Sequence, residues 1–417
     1  MSLPPRQLPG HNPPPMELEY GLSPATLAHK LRRFERLHRF AQWLRHDLWG
    51  GLVEALIELG RFTFRGSARF GPPTGTFSIY QALRNGFPKV NGRLLLEDQG
   101  HPAVTEDSLF VLGHYCQHLE QPWPIFWSEH APARLATESL VLLDNKRVCI
   151  ESVYGFPRLR GDPAYRFFHL PPSLRLKGSW TSVVSRWVPT SGHPNYTHWL
   201  LDALPRLAML PELPRDTQIL VPSSLFPSER ESLALLGLLD RCRFTSEIHL
   251  EVERYFFSSP TAMLQCYNPF GINFLRSAFL PKRDPHYSGP KKFFVARTGS
   301  VRNLKNMDEL HDFFTRIGWA LVQPAELTFA QQIKLFSEAD AICGTVGSGL
   351  TNAVFCRVGC QILLLAQDFM LDGWLDCISQ VVEADYHCLI CPSGYRHDIQ
   401  PDLQRVKDLL RRLGHAV

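Results

Sequence analysis

The sequence lacks a strong charge of either sign. Its 417 residues carry 44 Lys and Arg against 40 Asp and Glu, which leaves a formal net charge of +4. A protein that binds nucleic acid mainly through phosphate contacts is expected to be considerably more basic for its size. The charge balance therefore predicts no nucleic-acid partner.

Long apolar runs are also missing. A membrane-spanning helix needs roughly 18 or more apolar residues in succession. The most apolar window, residues 41–59, is interrupted by Arg45, His46, Asp47, Glu54 and Glu58. The N-terminus has a proline-rich stretch and no apolar signal core. We therefore expect no transmembrane helix, no export and a cytoplasmic location.

Residue patterns that hold metal ions are scarce. The ten cysteines are scattered, and the single Cys-x-x-Cys pair, Cys388 and Cys391, has no second ligand pair to complete a zinc site. The chain contains no Asp-x-Asp pair, and its nearest equivalent is Glu251-Val-Glu253. We predict reduced core thiols, no metal site and no cofactor.

What the sequence does contain is a core-forming composition, with 44% hydrophobic residues in a length that favours two or three domains. Changes in composition and in the pattern of apolar residues along the chain predict four parts. They are a flexible tail at 1–24, a basic helical segment at 25–65, an N-terminal domain at 66–285 and a C-terminal domain at 286–417.

The helix predicted within residues 25–60 has a basic polar face, with Lys30, Arg32, Arg33, Arg36 and Arg39. A face of this kind fits an anionic membrane surface or a partner. It also fits a solvated face on a helix that packs on its own domain. We favour the second interpretation, and peripheral membrane contact is the alternative.

Helices and strands are predicted to alternate from about residue 195 onward, after a β-rich or mixed region at 66–190. Helices at Thr197–Leu204 and Ser228–Leu239 flank a strand at Gln218–Val221. After a polar linker at 281–292, the strands at 293–296, 320–322, 339–343 and 362–365 are separated by helical patterns. Such alternation indicates a parallel sheet, and the part after the linker is predicted to be a Rossmann-like α/β domain.

A glycine-dense turn follows the strand predicted at 339–343. It contains Gly344, Gly347, Ser348 and Gly349, and a helix with Thr351 and Asn352 comes next. Glycine lets the backbone approach a ligand closely, and a helix N-terminus offers N–H groups to an anion such as a diphosphate. A tight strand-to-helix turn without any ligand explains the same pattern equally well.

A basic cluster opens the C-terminal domain. Arg297, Arg302 and Lys305, followed by Asn306, come just after the predicted strand at 293–296. Ligands of open α/β sheets bind at the carboxyl ends of strands, where arginine can hold a phosphate through two hydrogen bonds. Ordinary exposed loop charges are the alternative.

A third segment, residues 195–207, combines a leucine face with a polar stripe. His198, Asp202 and Arg206 recur at intervals of four residues, whereas leucines line the opposite face. A histidine and a carboxylate one helical turn apart can act together as a general base. A solvated polar stripe is the alternative.

Together these segments resemble glycosyltransferase family 61 over roughly residues 190–370. The resemblance rests on Asn-x-x-His-Trp-Leu-x-Asp-x-Leu-Pro-Arg-Leu at 195–207, on Arg297, Arg302 and Asn306, and on Gly-Ser-Gly-Leu-Thr-Asn at 347–352. It implies a GT-B architecture of two Rossmann-like domains that face a cleft, here with an N-terminal helical and β-rich extension.

The resemblance also implies a reaction. An inverting glycosyltransferase would move a sugar from a nucleotide sugar, expected to be a UDP-sugar, to a glycan or another hydroxyl acceptor, as in polysaccharide biosynthesis. His198 and Asp202 would be catalytic in the acceptor-side domain. The donor would be bound by Arg297, Arg302, Lys305, Asn306, Gly347, Ser348, Gly349, Thr351 and Asn352.

Two positions depart from the family pattern. Val346 stands where the family has His, and Ala366 and Gln367 lie where it has Glu after the next strand. The alternative function is therefore a catalytically inactive homologue that binds a sugar nucleotide or a glycan. An unrelated α/β phosphate-binding protein would leave the block around His198 and Asp202 unexplained.

Overall fold

The computed structural model describes residues 75–85, 91–96, 124–144, 147–153, 171–185, 187–191, 195–263, 266–296, 303–367, 373–392 and 398–417. The predicted tail at 1–24 and the basic segment at 25–65 lie outside the described residues. None of the helices in the described ranges is long and apolar enough to cross a membrane.

The described strands form a ten-stranded sheet from β1 to β10, a five-stranded sheet from β13 to β17, and a two-stranded sheet from β11 and β12. The strands are β1 Gly75–Phe77, β2 Asn91–Leu96, β3 Ile125–His130, β4 Ala133–Ala136, β5 Val141–Asp144, β6 Arg147–Cys149, β7 Leu174–Ser182, β8 Gln218–Pro222, β9 Cys242–Thr245, β10 His249–Ser258, β11 Ala262–Met263, β12 Cys266–Tyr267, β13 Lys292–Val295, β14 Ala320–Val322, β15 Ala341–Thr345, β16 Gln361–Gln367 and β17 Asp385–Cys391.

Seven α-helices and several shorter 3₁₀ segments lie in the described ranges. The α-helices discussed below are α1 Ile79–Arg84, α2 Pro227–Leu235, α3 Pro269–Phe279, α4 Met307–Arg316, α5 Phe329–Ser337, α6 Trp374–Val382 and α7 Leu403–Arg412. The 3₁₀ helices are Ile150–Val153, Leu239–Arg241, Leu280–Lys282, Pro324–Glu326 and Ser348–Phe355.

One further helical run, the motif helix, changes type along its length. It is α-helical at Tyr196–His198, a π-helix at Trp199–Ala203 and a 3₁₀ helix at Leu204–Glu212. The helix predicted over Thr197–Leu204 is therefore confirmed, but its hydrogen-bond pattern is not regularly α-helical over that range. Pro205 gives the physical reason, because it has no N–H with which to continue the α-helical ladder.

The first sheet is mixed. In the order β1-β6-β5-β4-β10-β7-β8-β9, strands β7 to β10 pair in parallel, whereas β3, β4, β5 and β6 join through antiparallel pairs. The second sheet is entirely parallel, in the order β14-β13-β15-β16-β17. These parallel strands confirm the predicted mixed α/β class.

The order of the parallel sheet creates a topological switch point. The chain passes from β13 outward to β14 and then returns to place β15 on the other side of β13. The carboxyl ends of β13 and β15 therefore lie side by side, with Val295 opposite Gly344. Crevices at such points are where open α/β sheets bind ligands.

One apolar cluster spans both sheets. It joins Ile219 of β8 and Trp199 of the motif helix to Phe293, Ile342 and Leu364 of the parallel sheet. A second cluster covers the opposite face of the parallel sheet, under α4 and α7. The motif helix is thus held between the two sheets by a continuous core.

Candidate active site

The N-terminus of the motif helix contacts the helix that follows the glycine-rich turn. Asn195 caps the motif helix by accepting a hydrogen bond from the backbone of His198. The hydroxyls of Thr197 and Thr351 are 2.9 Å apart and share a hydrogen bond. Two segments far apart in the chain, both singled out by their sequence, are therefore neighbours in the fold.

A buried polar network reinforces this contact. The Tyr196 hydroxyl donates to Asn352 Oδ1 at 2.6 Å, and Asn352 Nδ2 donates to Gln332 Oε1 at 2.7 Å. Burial raises the pKa of Tyr196, so its hydroxyl remains a donor. Because buried polar groups cost free energy unless they are paired, this network fixes the relative position of the two helices.

His198 and Asp202 form a hydrogen-bonded pair. Nδ1 of His198 meets Oδ2 of Asp202, and the two side chains are 21% and 1% exposed. The other carboxylate oxygen, Oδ1, is buried and has no hydrogen-bond partner among the described residues. The imidazole is thus the group that compensates the buried carboxylate.

This pairing decides which ring nitrogen can react. The carboxylate accepts a hydrogen bond from Nδ1–H, so in the neutral ring the free lone pair lies on Nε2. Nε2 can therefore take a proton from a hydroxyl, while Asp202 orients the ring and stabilises the imidazolium that forms. Geometry and chemistry both fit a general base.

Arg206 continues the polar stripe into the interior. Its guanidinium donates to the carbonyl of Ser258 at 2.8 and 3.0 Å and to that of Val184 at 3.0 Å. Burial lowers the pKa of Arg206. Asp202 and Arg206 are both buried, so the alternative of a solvated polar stripe is wrong.

The underside of the motif helix contacts α2 through a hydrogen bond to a buried serine. Trp199 Nε1 donates to Ser232 Oγ at 3.0 Å, and Ser232 Oγ donates to the carbonyl of Glu229 at 2.6 Å. Burial raises the pKa of Glu229 to about 7. The Glu229 carboxyl therefore titrates close to neutral pH.

The glycine-rich turn lies at the switch point. Gly347 and Gly349 are half-buried and Ser348 is exposed at the start of the 3₁₀ helix Ser348–Phe355. A Cβ atom at Gly349 would lie 2.7 Å from Cγ1 of Val295. Glycine is therefore required here for the turn to pack on the end of β13.

Polar residues lie at the carboxyl ends of the neighbouring strands β15 and β16. Thr345 is the last residue of β15, and its buried hydroxyl has no hydrogen-bond partner within the described ranges. Gln367 ends β16 and is fully buried, and Val346 is 2% exposed within the core that spans both sheets. Val346 thus packs in the core at the position where the resembled family has a histidine.

The predicted basic ligands are only partly described. Arg297 and Arg302 lie outside the described residues, and Lys305 is exposed. Asn306 donates to Glu309 Oε2 at 2.8 Å and to the carbonyl of Pro401 at 3.0 Å. The side chains of Thr351 and Asn352 join helices, as described above. Donor binding by all these residues stays a prediction.

Candidate metal ligands are dispersed. Within the described ranges, no three His, Cys, Asp or Glu side chains come together in a group that could hold a metal ion. Glu251 accepts hydrogen bonds from Ser173 and Arg175 at 2.8 and 2.9 Å. Cys388 and Cys391 lie on β17 and pack into different clusters on opposite faces of the sheet. This pair therefore cannot bind one ion together.

Two residues of the site were not predicted from the sequence. Gln332 carries a hydrogen bond of the Tyr196 network, and Trp187 stacks on His198 with ring centroids 5.0 Å apart. Gln332 lies within a helix that the sequence predicts. A polar side chain on the buried face of that helix was the one sign that it could join a hydrogen-bond network. Nothing in the local pattern relates Trp187 to His198.

The comparisons with known proteins agree with the geometry. No curated protein matches the chain. Residues 196–363 match the sequence model of the family described as Glycosyltransferase 61. The match contains the His198–Asp202 pair, the switch point and the glycine-rich turn. The segment of residues 196–363 therefore belongs to the glycosyltransferase 61 family, a family of glycosyltransferases.

Proposed function

We propose that the protein is an inverting, metal-independent glycosyltransferase that moves a sugar from a UDP-sugar to a hydroxyl of a glycan acceptor. The observation that supports this most strongly is the contact between Thr197 and Thr351. It holds a preformed His–carboxylate pair next to the switch point of a parallel sheet. A base and a donor crevice are the two parts that such a reaction needs.

The donor diphosphate would bind at the switch point. Backbone N–H groups of Gly347, Ser348 and Gly349 would face it, together with Arg297, Arg302 and Lys305 from the segment after β13. Backbone amides and guanidinium groups are suited to this role because both donate hydrogen bonds to phosphate oxygens. Asn306, Thr351 and Asn352 would support the segments that carry these donors.

The acceptor hydroxyl would lie at Nε2 of His198. The imidazole takes its proton as the oxygen attacks C1 of the donor sugar, opposite the departing UDP. One displacement of this kind inverts the anomeric carbon. The GT-B arrangement, with the acceptor on the side of the mixed sheet and the donor on the parallel sheet, is part of the proposal.

Charge on the departing UDP would be neutralised without a metal ion. Glycosyltransferases that need Mg²⁺ or Mn²⁺ commonly hold it with an Asp-x-Asp pair, which this sequence lacks. Arginine, lysine and a helix N-terminus can supply the same stabilisation. A cytoplasmic location, with peripheral membrane contact through residues 25–60, belongs to the proposal as well.

A second candidate, an inactive homologue that binds a sugar nucleotide, is favoured by one observation. Val346 places a buried aliphatic side chain beside the switch point, where the family pattern has a histidine. Such a protein would retain donor binding and lose turnover.

Both candidates are tested with a panel of UDP-sugars in two assays on the same preparation. A ligand at about 100 times its Kd stabilises the folded protein by roughly 2.7 kcal/mol, so thermal shift identifies the donor. UDP release by slow hydrolysis, in which water takes the place of the acceptor hydroxyl, then separates an enzyme from an inactive binder. We expect release that EDTA leaves unchanged, whereas loss with EDTA and recovery with Mn²⁺ would refute metal independence. Donor binding without any UDP release would support the inactive homologue.

A further inference from the structure

Trp187 lies in a tight turn that backbone hydrogen bonds close. Ser185 and Val188 exchange two backbone hydrogen bonds of 3.0 and 3.1 Å across it. On one side Val183 donates to Leu220 of β8 at 3.2 Å, and on the other Thr190 donates to Glu138 at 2.7 Å. The backbone of the turn is therefore anchored on both sides.

The indole covers one face of the imidazole of His198. The two rings are 12° from parallel, with centroids 5.0 Å apart. Trp187 nevertheless remains 37% exposed, which is unusual for so large an apolar side chain. Its location is better explained by the ring that it covers than by burial in the core.

Arg206 joins the motif helix to the chain segment that precedes the Trp187 turn. It lies on the motif helix, as His198 does, and its guanidinium donates to the carbonyl of Val184, just before the turn that carries Trp187. The helix that carries His198 is therefore also hydrogen-bonded to the backbone just before the turn that carries Trp187. Movement of the backbone at Val184 relative to the motif helix would break this buried hydrogen bond.

The imidazole is thus restrained at an edge and on a face. Asp202 holds Nδ1, and the indole covers one face of the ring. Among the described residues no hydrogen bond engages Nε2, which leaves this atom for a substrate. When Nε2 accepts a proton, the cationic ring faces the electron-rich surface of an indole, which favours the cation.

We propose that Trp187 is a positioning residue for His198, one that fixes the plane of the imidazole and stabilises its protonated form during proton transfer. This inference rests on the proposed function, in which His198 is the base. It assigns Trp187 no contact with the donor. Loss of the indole should therefore slow the chemical step and leave donor binding unchanged.

The test compares Trp187→Leu and Trp187→Phe with Phe226→Leu, a matched loss of another exposed aromatic ring. The probes are UDP-glucose, UDP-xylose and UDP-N-acetylglucosamine, with UDP release as the measurement. We expect Trp187→Leu to lower kcat roughly 2- to 30-fold, the range of a cation–π contact, with KM for the UDP-sugar unchanged. Trp187→Phe should recover part of the loss, and Phe226→Leu should behave as wild type.

A second readout needs no turnover. Diethyl pyrocarbonate modifies accessible imidazole nitrogens, and mass spectrometry follows the rate at His198. We expect faster modification in Trp187→Leu, an intermediate rate in Trp187→Phe and no change in Phe226→Leu. This readout decides the inference even if none of the three UDP-sugars is a substrate.

Each failure has its own signature. Unchanged kcat in Trp187→Leu, or an unchanged labelling rate, would overturn the positioning role while His198→Ala still abolished UDP release. A raised KM for the UDP-sugar would also overturn it, because Trp187 would then contact the donor. Full UDP release by His198→Ala would instead overturn the proposed function itself.

Discussion

The motif helix presents polar side chains that are already hydrogen-bonded, whereas the switch point of the parallel sheet has a buried hydroxyl, that of Thr345, without a hydrogen-bond partner in the described ranges. His198 is bound to Asp202, Tyr196 to Asn352, and Arg206 to two backbone carbonyls. On the other side the buried hydroxyl of Thr345 accepts and donates nothing among the described residues.

The difference matches two chemical tasks. A general base works only when its ring is held in one orientation before the substrate arrives, so its hydrogen bonds must be complete. A ligand-binding crevice must instead retain donors that the ligand can satisfy. We call the motif helix the engaged side and the switch point, with the segment after β13, the open side. Substitutions on the engaged side should therefore affect stability or turnover, and those on the open side should affect donor affinity.

Arg206→Met gives the largest expected effect on the engaged side. It removes a buried guanidinium and leaves the carbonyls of Ser258 and Val184 without their donors, which should cost about 3 kcal/mol of unfolding free energy. Chemical denaturation measures the loss, with the exposed Arg215→Met as control. A change below about 1 kcal/mol would show that the two carbonyls find other partners.

Arg297→Ala probes the open side. Loss of a charge-assisted hydrogen bond to the diphosphate should weaken donor binding by about 1.5–3 kcal/mol, while the unfolding free energy stays the same. Calorimetry with the UDP-sugar identified by the panel measures the affinity, and Arg283→Ala, another exposed arginine, is the control. Unchanged affinity in a folded variant would remove Arg297 from the site.

Glu229→Gln tests the buried carboxyl under the motif helix. Burial raises the folded pKa of Glu229 from 4.5 to about 7. Ionisation therefore favours the unfolded chain, and stability falls as the pH rises from about 4.5 through 7. At pH 8 the variant should be more stable than wild type by about 2 kcal/mol, and at pH 4.5 this difference should nearly vanish.

Denaturation midpoints at the two pH values measure this effect. Glu247→Gln replaces an exposed carboxylate and serves as the control. The same difference in stability at both pH values would show that ionisation of Glu229 is not its cause.

Tyr196→Phe has the smallest expected effect. It deletes the hydroxyl that donates to Asn352 across the junction of the two sides, at a cost of about 1 kcal/mol of unfolding free energy. Turnover should fall with little change in donor affinity, since the motif helix would be held less firmly. If donor affinity fell instead, the motif helix and the switch point would not have the separate tasks described above.

Much of the second sheet could be predicted from the sequence because its signals are local. Thr328 caps α5 as expected, and Gly318 ends α4 with a φ of 78°. The helix α6 and the strand β17 were missed. The N-cap residue of α6 is Gly373, which has no side chain to accept a capping hydrogen bond, so the usual start signal is absent there.

The residues of the site could be predicted from the sequence, but most of the contacts between them could not. The spacing of His198 and Asp202 gave their contact, since residues four apart in a helix are neighbours. The bonds from Tyr196 to Asn352 and from Arg206 to Ser258 join distant parts of the chain, which no periodicity relates. The stack of Trp187 on His198 depends on a turn whose placement is set by the sheet.

The most direct measurement is the single-turnover rate of His198→Ala at saturating donor, with donor affinity determined on the same sample and the exposed His286→Ala as control. If His198 is the base, the rate falls by about 10²- to 10⁴-fold and the donor Kd stays unchanged. A rate per folded molecule that equals that of wild type would contradict the role of His198. The imidazole would then only pack beneath Trp187 and compensate the charge of Asp202.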